Sequence, residues 1–251
     1  IMINNIIITA VSQDYLNSCL TLIASIHRTS CDIVNKIIVY SINLNKNSIT
    51  FLNTLKYVTV VDLQKYKDNY FDGWLTPKQH AYKGFCLVNA ANYGNNILWI
   101  DSGALLLKNC AEIFQKIDNN HIFCVEDLDN NLNLTWTHKK ARRILKATPF
   151  ELCKKQLCSG IFGYKKGGKY QHLIDESDKF FSKKDCVHGS HFNHRHDQSI
   201  LSILTTRYNC PRDLMEIYAE WRDFEKSKNN GKVIIFVHRR NIHDITGLLV
   251  K

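Results

Sequence analysis

Short β-branched runs that alternate with helix-periodic segments constrain this chain more than any other feature. Ile6-Ile7-Ile8-Thr9-Ala10-Val11 reads as a buried strand ending at the polar Ser12-Gln13-Asp14. Tyr15, Cys19, Leu22, Ile23 and Ile26 then recur at three- and four-residue spacing, the pattern of a helix with one apolar face. Ile37-Ile38-Val39-Tyr40 and Tyr57-Val58-Thr59-Val60-Val61 predict a second and a third strand. Pro77 suits a helix start, and the predicted helix runs to about Asn92. Asn95-Asn96 turns the chain into Ile97-Leu98-Trp99-Ile100, a fourth buried strand. Such alternation predicts an α/β fold with a mainly parallel sheet flanked on both faces by helices.

The second half is less regular. Leu105-Leu106-Leu107 and His121-Ile122-Phe123-Cys124-Val125 read as strands around a short helix from Ala111 to Ile117. Residues 126–156 form a long polar excursion with scattered aromatics. A helix carrying Tyr170, Leu173, Ile174 and Phe181 on one face follows, then another beginning near Asp197, and a late strand at Val233-Ile234-Ile235-Phe236-Val237. No internal repeat and no Pro-, Gly- or Ser-rich linker divides the 251 residues, so one domain over 1–251 is expected.

Composition narrows the partners. The net charge of +10 favours an anionic one: nucleotide phosphates, an acidic membrane face or nucleic acid. The nine cysteines are odd in number, lack C-x-x-C spacing and mostly stand in apolar runs, which predicts buried free thiols in a reducing cytoplasm. No run approaches the ~18 apolar residues of a membrane span, and no signal peptide pattern is visible. Met2 reads as the natural start and Ile1 as a remnant ahead of it. A soluble protein, or one peripheral to a membrane, is expected.

In an open parallel sheet, ligands gather at the carboxyl ends of the strands. Three such ends are polar here: Ser12 to Tyr15, Asp101-Ser102-Gly103, and His238-Arg239-Arg240. An aspartate before Ser-Gly is commonly only a turn residue. Together, however, a carboxylate and an imidazole can hold a divalent cation, and arginines can hold phosphate.

These residues resemble those of the GT-A glycosyltransferases, nearest to glycogenin-like and lipopolysaccharide galactosyltransferase-like enzymes. I-I-T-A-V-S-Q-D-Y at 7–15 looks like the opening nucleotide-binding strand and loop. N-I-L-W-I-D-S-G-A-L-L-L at 96–107 resembles the strand bearing the D-x-D motif, and L-C-S-G-I-F-G at 157–163 the acceptor-side strand. H-D-Q-S-I-L-S-I-L at 196–204 resembles the D-Q helix, and the late I-I-F-V-H strand the segment supplying a metal-binding histidine.

Residue by residue, the resemblance implies that Ala10, Ser12, Asp14 and Tyr15 line the base and ribose. It places Lys83 near the donor's phosphates or sugar, with Asp101, Ser102 and Gly103 forming the variant D-x-D. Asp101 and His238 would hold Mn²⁺ or Mg²⁺, and Asp197 and Gln198 would face the donor sugar and reacting carbon. Residues up to about 107 would form the nucleotide-binding half and those from about 108 the acceptor-side half. Glu126, Asp127, Trp136, Ser159 and Gly160 would stand on that acceptor side. Gly103 replaces the second carboxylate. Either Asp101 and His238 suffice with the diphosphate completing the shell, or Lys83, Arg239 and Arg240 neutralise the leaving group without metal.

The implied activity is transfer of a sugar from a nucleotide-sugar donor to a glycan, lipid-linked glycan or other hydroxyl acceptor, as in cell-surface polysaccharide or glycoconjugate synthesis. A cytoplasmic enzyme is expected, with peripheral contact to the anionic inner membrane face as an option and no nucleic acid partner. Asp101→Ala and Asp197→Ala are expected to abolish transfer with the fold intact. Two rivals remain. A non-catalytic polyanion- or nucleic-acid-binding domain would use the positive charge but has no need of Asp101, Asp197 and His238 near strand ends. A nucleotidyltransferase would show a glycine-rich basic loop, whereas residues 9–17 hold neither glycine nor lysine. His188, His191, His194 and His196 could bind zinc, but without a cysteine set they read as an acceptor-facing or solvated loop. The run Lys139 to Arg143 reads as a solvated helix face, or as a contact to anionic lipid.

Overall fold

The first apolar run becomes β1 (Asn5–Val11), which passes through a short 3-10 turn at Gln13–Tyr15 into α1 (Leu16–Ser30). There follow β2 (Lys36–Ser41), α2 (Lys46–Asn53), β3 (Val58–Asp62), α3 (Lys83–Ala90), β4 (Asn96–Ile100), β5 (Ala104–Leu106), α4 (Ala111–Asn120) and β6 (Ile122–Glu126). The polar excursion carries three short helices, α5 (Asn133–Trp136), α6 (Lys139–Ile144) and α7 (Pro149–Leu152). The chain continues through β7 (Leu157–Lys165), α8 (Gln171–Phe181), α9 (Lys184–Val187), α10 (Asp197–Arg207), β8 (Tyr218–Glu220), α11 (Phe224–Asn229) and β9 (Ile235–Val237). The computed structural model describes residues 4–127, 131–190, 192–213, 218–220, 224–238, 247 and 249–251; the predicted Arg239, Arg240 and His191 lie outside them.

The main sheet has the order β3-β2-β1-β4-β7-β6. Its first four strands are parallel, and β7 runs antiparallel to both β4 and β6. Every residue of β4 is buried, and its side chains alternate between two cores. Ile97 and Trp99 join the core beneath α3, α8 and α10, while Leu98 and Ile100 join the one beneath α1 and α4. Each such side chain contributes about 1.5–3 kcal/mol on burial, and this two-sided apolar demand is why the strand lacks polar alternation. On α8 the predicted face of Tyr170, Leu173, Ile174 and Phe181 is buried as expected.

Two expectations need correction. The helix predicted from Pro77 forms only a 3-10 turn at Pro77–Gln79, because His80 takes a left-handed conformation (φ 53°) that stops it; the α-helix starts at Lys83. The thiols are all free, but Cys153 is exposed rather than buried. Among the described residues, no helix is long and apolar enough to cross a membrane.

The sheet's geometry then sets the site. Because β7 runs against β4, Ile161 stands beside Ile100, and the Asp101 N–H donates to Gly160 O at 2.9 Å. The smaller sheet, β5-β9-β8, pairs Ala104 with Val237. His238 therefore arrives next to Gly103, and its N–H donates to Gly103 O at 3.0 Å. Three segments distant in sequence meet at the end of β4.

Candidate active site

A buried lysine organises this meeting point. Lys83, the first residue of α3, is 1% exposed. Its ammonium donates to Asp197 Oδ2 at 2.6 Å, to Ser159 O at 2.8 Å and to Asp101 Oδ1 at 3.5 Å, and lies 4.5 Å from the centre of the Trp99 ring. An ammonium has three protons, and all three find acceptors here. Trp99 Nε1–H donates to the same Asp101 Oδ1 at 2.6 Å. α3 can come this close because Gly84 packs against α8: a Cβ there would lie 2.7 Å from Phe181 Cβ.

The electrostatics follow from burial and pairing. Burial alone would deprotonate Lys83, but Asp101 and Asp197 outweigh it and raise its pKa above the ordinary lysine value. Burial likewise disfavours the Asp197 carboxylate, yet Lys83 and His80, with hydrogen bonds from Lys83 and Ser159, hold it well below the usual carboxylate range. Both groups are thus charged. Lys83 is already bonded to two protein carboxylates, and Asp197→Ala would strand a buried ammonium, so that substitution tests stability as well as chemistry.

Around this pair stand the other predicted residues. Ala10 and Ser12 are buried where β1 ends, Tyr15 is half-buried and Asp14 is exposed. Their loop is fixed by Gln13, which sequence reasoning passed over. Gln13 N–H donates to Asn43 Oδ1 at 2.9 Å, and its side-chain carbonyl accepts from the Asn45 N–H at 3.0 Å. Ser102 and Gly103 are buried within the turn closed by Ala104 N–H to Asp101 O at 3.0 Å.

Gln198 and Asp127 are brought together. Gln198 Nε2 donates to Asp127 Oδ2 at 3.2 Å and to Gln156 Oε1 at 2.9 Å. Asn131 Nδ2 donates to the same Asp127 oxygen at 3.0 Å, and Trp136 Nε1 donates to Asn131 Oδ1 at 2.7 Å. Ser199 Oγ closes the ring by donating to Trp136 O at 2.7 Å. The excursion is therefore bonded onto the start of α10. Ser159 is buried beside Lys83, and Glu126 is half-buried at the end of β6. Gln156, Asn131 and Arg195 were missed. Each is a lone polar residue outside any periodic pattern, and only Arg195, two positions before Asp197, carried a positional hint.

Two of the loop's histidines are packed rather than solvated, and among the described residues they form no metal-binding group. His194 and His196 are buried. The His194 ring stacks on His138, with centroids 4.3 Å apart, and meets His196 edge-on at 5.3 Å. His194 Nε2 lies 3.0 Å from Cys186 O, while its Nδ1 accepts from the His138 N–H at 3.4 Å. That arrangement requires the neutral ring, and burial first, then the neighbouring His138 and His196, push its pKa down to about 3.

Among the described residues, no three His, Cys, Asp or Glu side chains group as a metal cluster. Of the two predicted metal ligands, Asp101 is partly exposed and His238 is buried, and the His238 backbone lies beside Gly103. Both contacts to Asp101 fall on Oδ1, and its side chain is 40% exposed, so Oδ2 can face a cation.

No family model matches this sequence, and no curated protein matches it. Solved structures do share its fold. The apo structure of the WbbM bifunctional glycosyltransferase superposes with a TM-score of 0.58 at 13% identity over 94% of this chain, which spans 46% of WbbM. The apo form of mouse xyloside xylosyltransferase 1 gives 0.59 at 13% identity, covering 95% of this chain and 99% of the other. The galactosyltransferase LgtC, in complex with donor and acceptor sugar analogues, gives 0.60 at 9% identity, covering 98% and 96%. The chain has the GT-A fold of these glycosyltransferases.

Proposed function

We propose that this protein is a glycosyltransferase that moves a sugar from a nucleotide-sugar donor to a hydroxyl on a glycan or lipid-linked glycan. The observation that carries the reading is the convergence of Asp101, Ser159 and Asp197 on one buried ammonium at the end of β4. A scaffold role alone does not require two carboxylates and a lysine at that edge, where α/β folds bind ligands. In this reading residues 1–107 form the donor half, with the loop from Ser12 to Tyr15 beside the base and ribose. Residues 108–251 form the acceptor half, with Glu126, Asp127, Trp136, Ser159 and Gly160 facing the acceptor.

Breaking the sugar–phosphate bond develops positive charge on the sugar and negative charge on the departing diphosphate. Lys83 keeps Asp197 ionised and immobile, so that a fixed negative charge lies under the sugar without reorganisation at the moment of reaction. Gln198, held by Asp127 and Gln156, presents a fixed amide on the next residue of α10. In this reading Asp101 and His238 would hold Mn²⁺ or Mg²⁺, which would neutralise charge on the departing diphosphate. The exposed Lys139, Lys140 and Arg143 of α6, together with Phe192 at 93% exposure, support peripheral contact with an anionic membrane.

The experiment is release of nucleoside diphosphate from a panel of UDP-, GDP- and CMP-linked sugars, the last read as CMP. Wild type is expected to turn over one donor class. Asp101→Asn, whose carboxylate is partly solvated, is expected to keep its circular dichroism and lose about 10²–10³-fold in rate. Full turnover in Asp101→Asn would remove this residue from the site, and no turnover of any donor by wild type would count against the function.

A further inference from the structure

The acceptor half contains a cation that pairs with no carboxylate among the described residues. Arg195 stacks over Trp136, its guanidinium carbon 4.1 Å from the ring centre. Among the described residues no carboxylate lies within 4.0 Å of it, and its buried Nε finds no hydrogen-bond acceptor. Its place is not accidental slack in a loop. The Arg195 N–H donates to Trp136 O at 3.0 Å and to Ser199 Oγ at 3.2 Å, and its carbonyl accepts from the Gln198 N–H at 2.9 Å. The Trp136 indole is in turn fixed by Asn131. A guanidinium held against a pinned indole has a restricted N–H fork, which suits bidentate capture of a carboxylate or phosphate.

The excursion as a whole carries a positive excess. Residues 126–156 hold seven Lys or Arg against four carboxylates, Glu126, Asp127, Asp129 and Glu151. Of these, Glu151 is buried and already engaged by Arg207 at 2.8 Å. Asp127 accepts from Asn131 and Gln198 and makes no ion pair with Arg195. A site for a neutral sugar gains nothing from an arginine with a buried Nε and no carboxylate partner among the described residues, whereas an anionic one supplies an acceptor.

We infer that Arg195 on Trp136 is an anion subsite, and that the acceptor carries a negative group, a carboxylate of an acidic sugar or a phosphate, next to the hydroxyl that is glycosylated. This rests on the glycosyltransferase reading for the word acceptor; the anion subsite itself does not. The test is binding to an array of neutral, uronic-acid-bearing and phosphorylated glycans by wild type, Arg195→Gln and Arg195→Lys, with nucleotide-induced thermal shifts measured on the same samples. Wild type is expected to prefer one anionic class at least tenfold over its neutral counterpart, and which class wins distinguishes carboxylate from phosphate. Arg195→Gln should lose the preference and Arg195→Lys should keep part of it, with melting temperatures and nucleotide shifts unchanged. No anionic preference in wild type, or a preference that survives Arg195→Gln, overturns the inference. Nucleotide shifts without anionic preference would sink the subsite alone, and anionic preference without any nucleotide shift would sink the glycosyltransferase reading alone.

Discussion

Replacing Lys83 by methionine keeps the stem that packs on Trp99 and removes the charge that holds Asp197. Asp101 is 40% exposed, so water takes over much of its solvation, and the cost falls on Asp197, whose side chain is 8% exposed. Breaking one side of a buried ion pair generally costs about 3–5 kcal/mol. Here the carboxyl can escape by taking a proton. From its unfolded value of 3.8 that costs about 1.4 kcal/mol per pH unit, hence roughly 4 kcal/mol at pH 7 but only about 2 kcal/mol at pH 5. In wild type the depressed pKa of Asp197 works the other way: its stabilisation is complete above 3.8 and fades only as pH falls through the lower folded value. Lys83→Met should therefore lose most against wild type at neutral pH and recover on mild acidification. Adding Asp197→Asn should restore most of the stability at pH 7. Urea unfolding followed by circular dichroism at pH 7 and 5 measures both effects. A loss under about 1 kcal/mol at pH 7, or one that is the same at both pH values, would refute the ion-pair account.

Two further predictions concern supporting structure. His194 is neutral in the fold, its pKa pushed down to about 3, so the unfolded chain binds its proton first as pH drops below the ordinary histidine value of 6.5. Wild type should lose roughly 2 kcal/mol between pH 6.5 and 5 from this residue, and His194→Gln should show a correspondingly flatter stability–pH profile. Gly84→Ala forces a methyl to within 2.7 Å of Phe181 Cβ, which should cost about 1–3 kcal/mol and shift Lys83; a melting temperature equal to that of wild type would contradict the packing described.

Strands and their ends were legible because burial on both faces leaves a local mark. The runs at Ile6 and Ile97 permit no other reading, and Asp101-Ser102-Gly103 follows the second directly. The helix from Pro77 was misjudged because proline marks a plausible start but says nothing about the left-handed His80 three residues on. Lys83 was placed near the site, yet its role was hidden. A lysine at a helix start normally reads as solvated, and its partners lie 18, 76 and 114 residues away. The same limit applied to His194, whose stack depends on the excursion folding back through His138. Local patterns register burial of apolar side chains; they do not register which polar groups long-range topology will bring together to satisfy one another.

The central claim is a nucleotide-sugar site between the loop at Ser12 and the end of β4. A thermal-shift screen of UDP, GDP, CMP and their sugars, each with and without Mn²⁺, tests it most directly. At a hundredfold excess over Kd, one bound nucleotide adds about 2.7 kcal/mol, which for a chain of this size is roughly 5–10 °C. The account predicts such a shift for one base, lost in Asp101→Asn and strengthened by Mn²⁺ if Asp101 and His238 hold the cation. No shift for any nucleotide in either condition would contradict it.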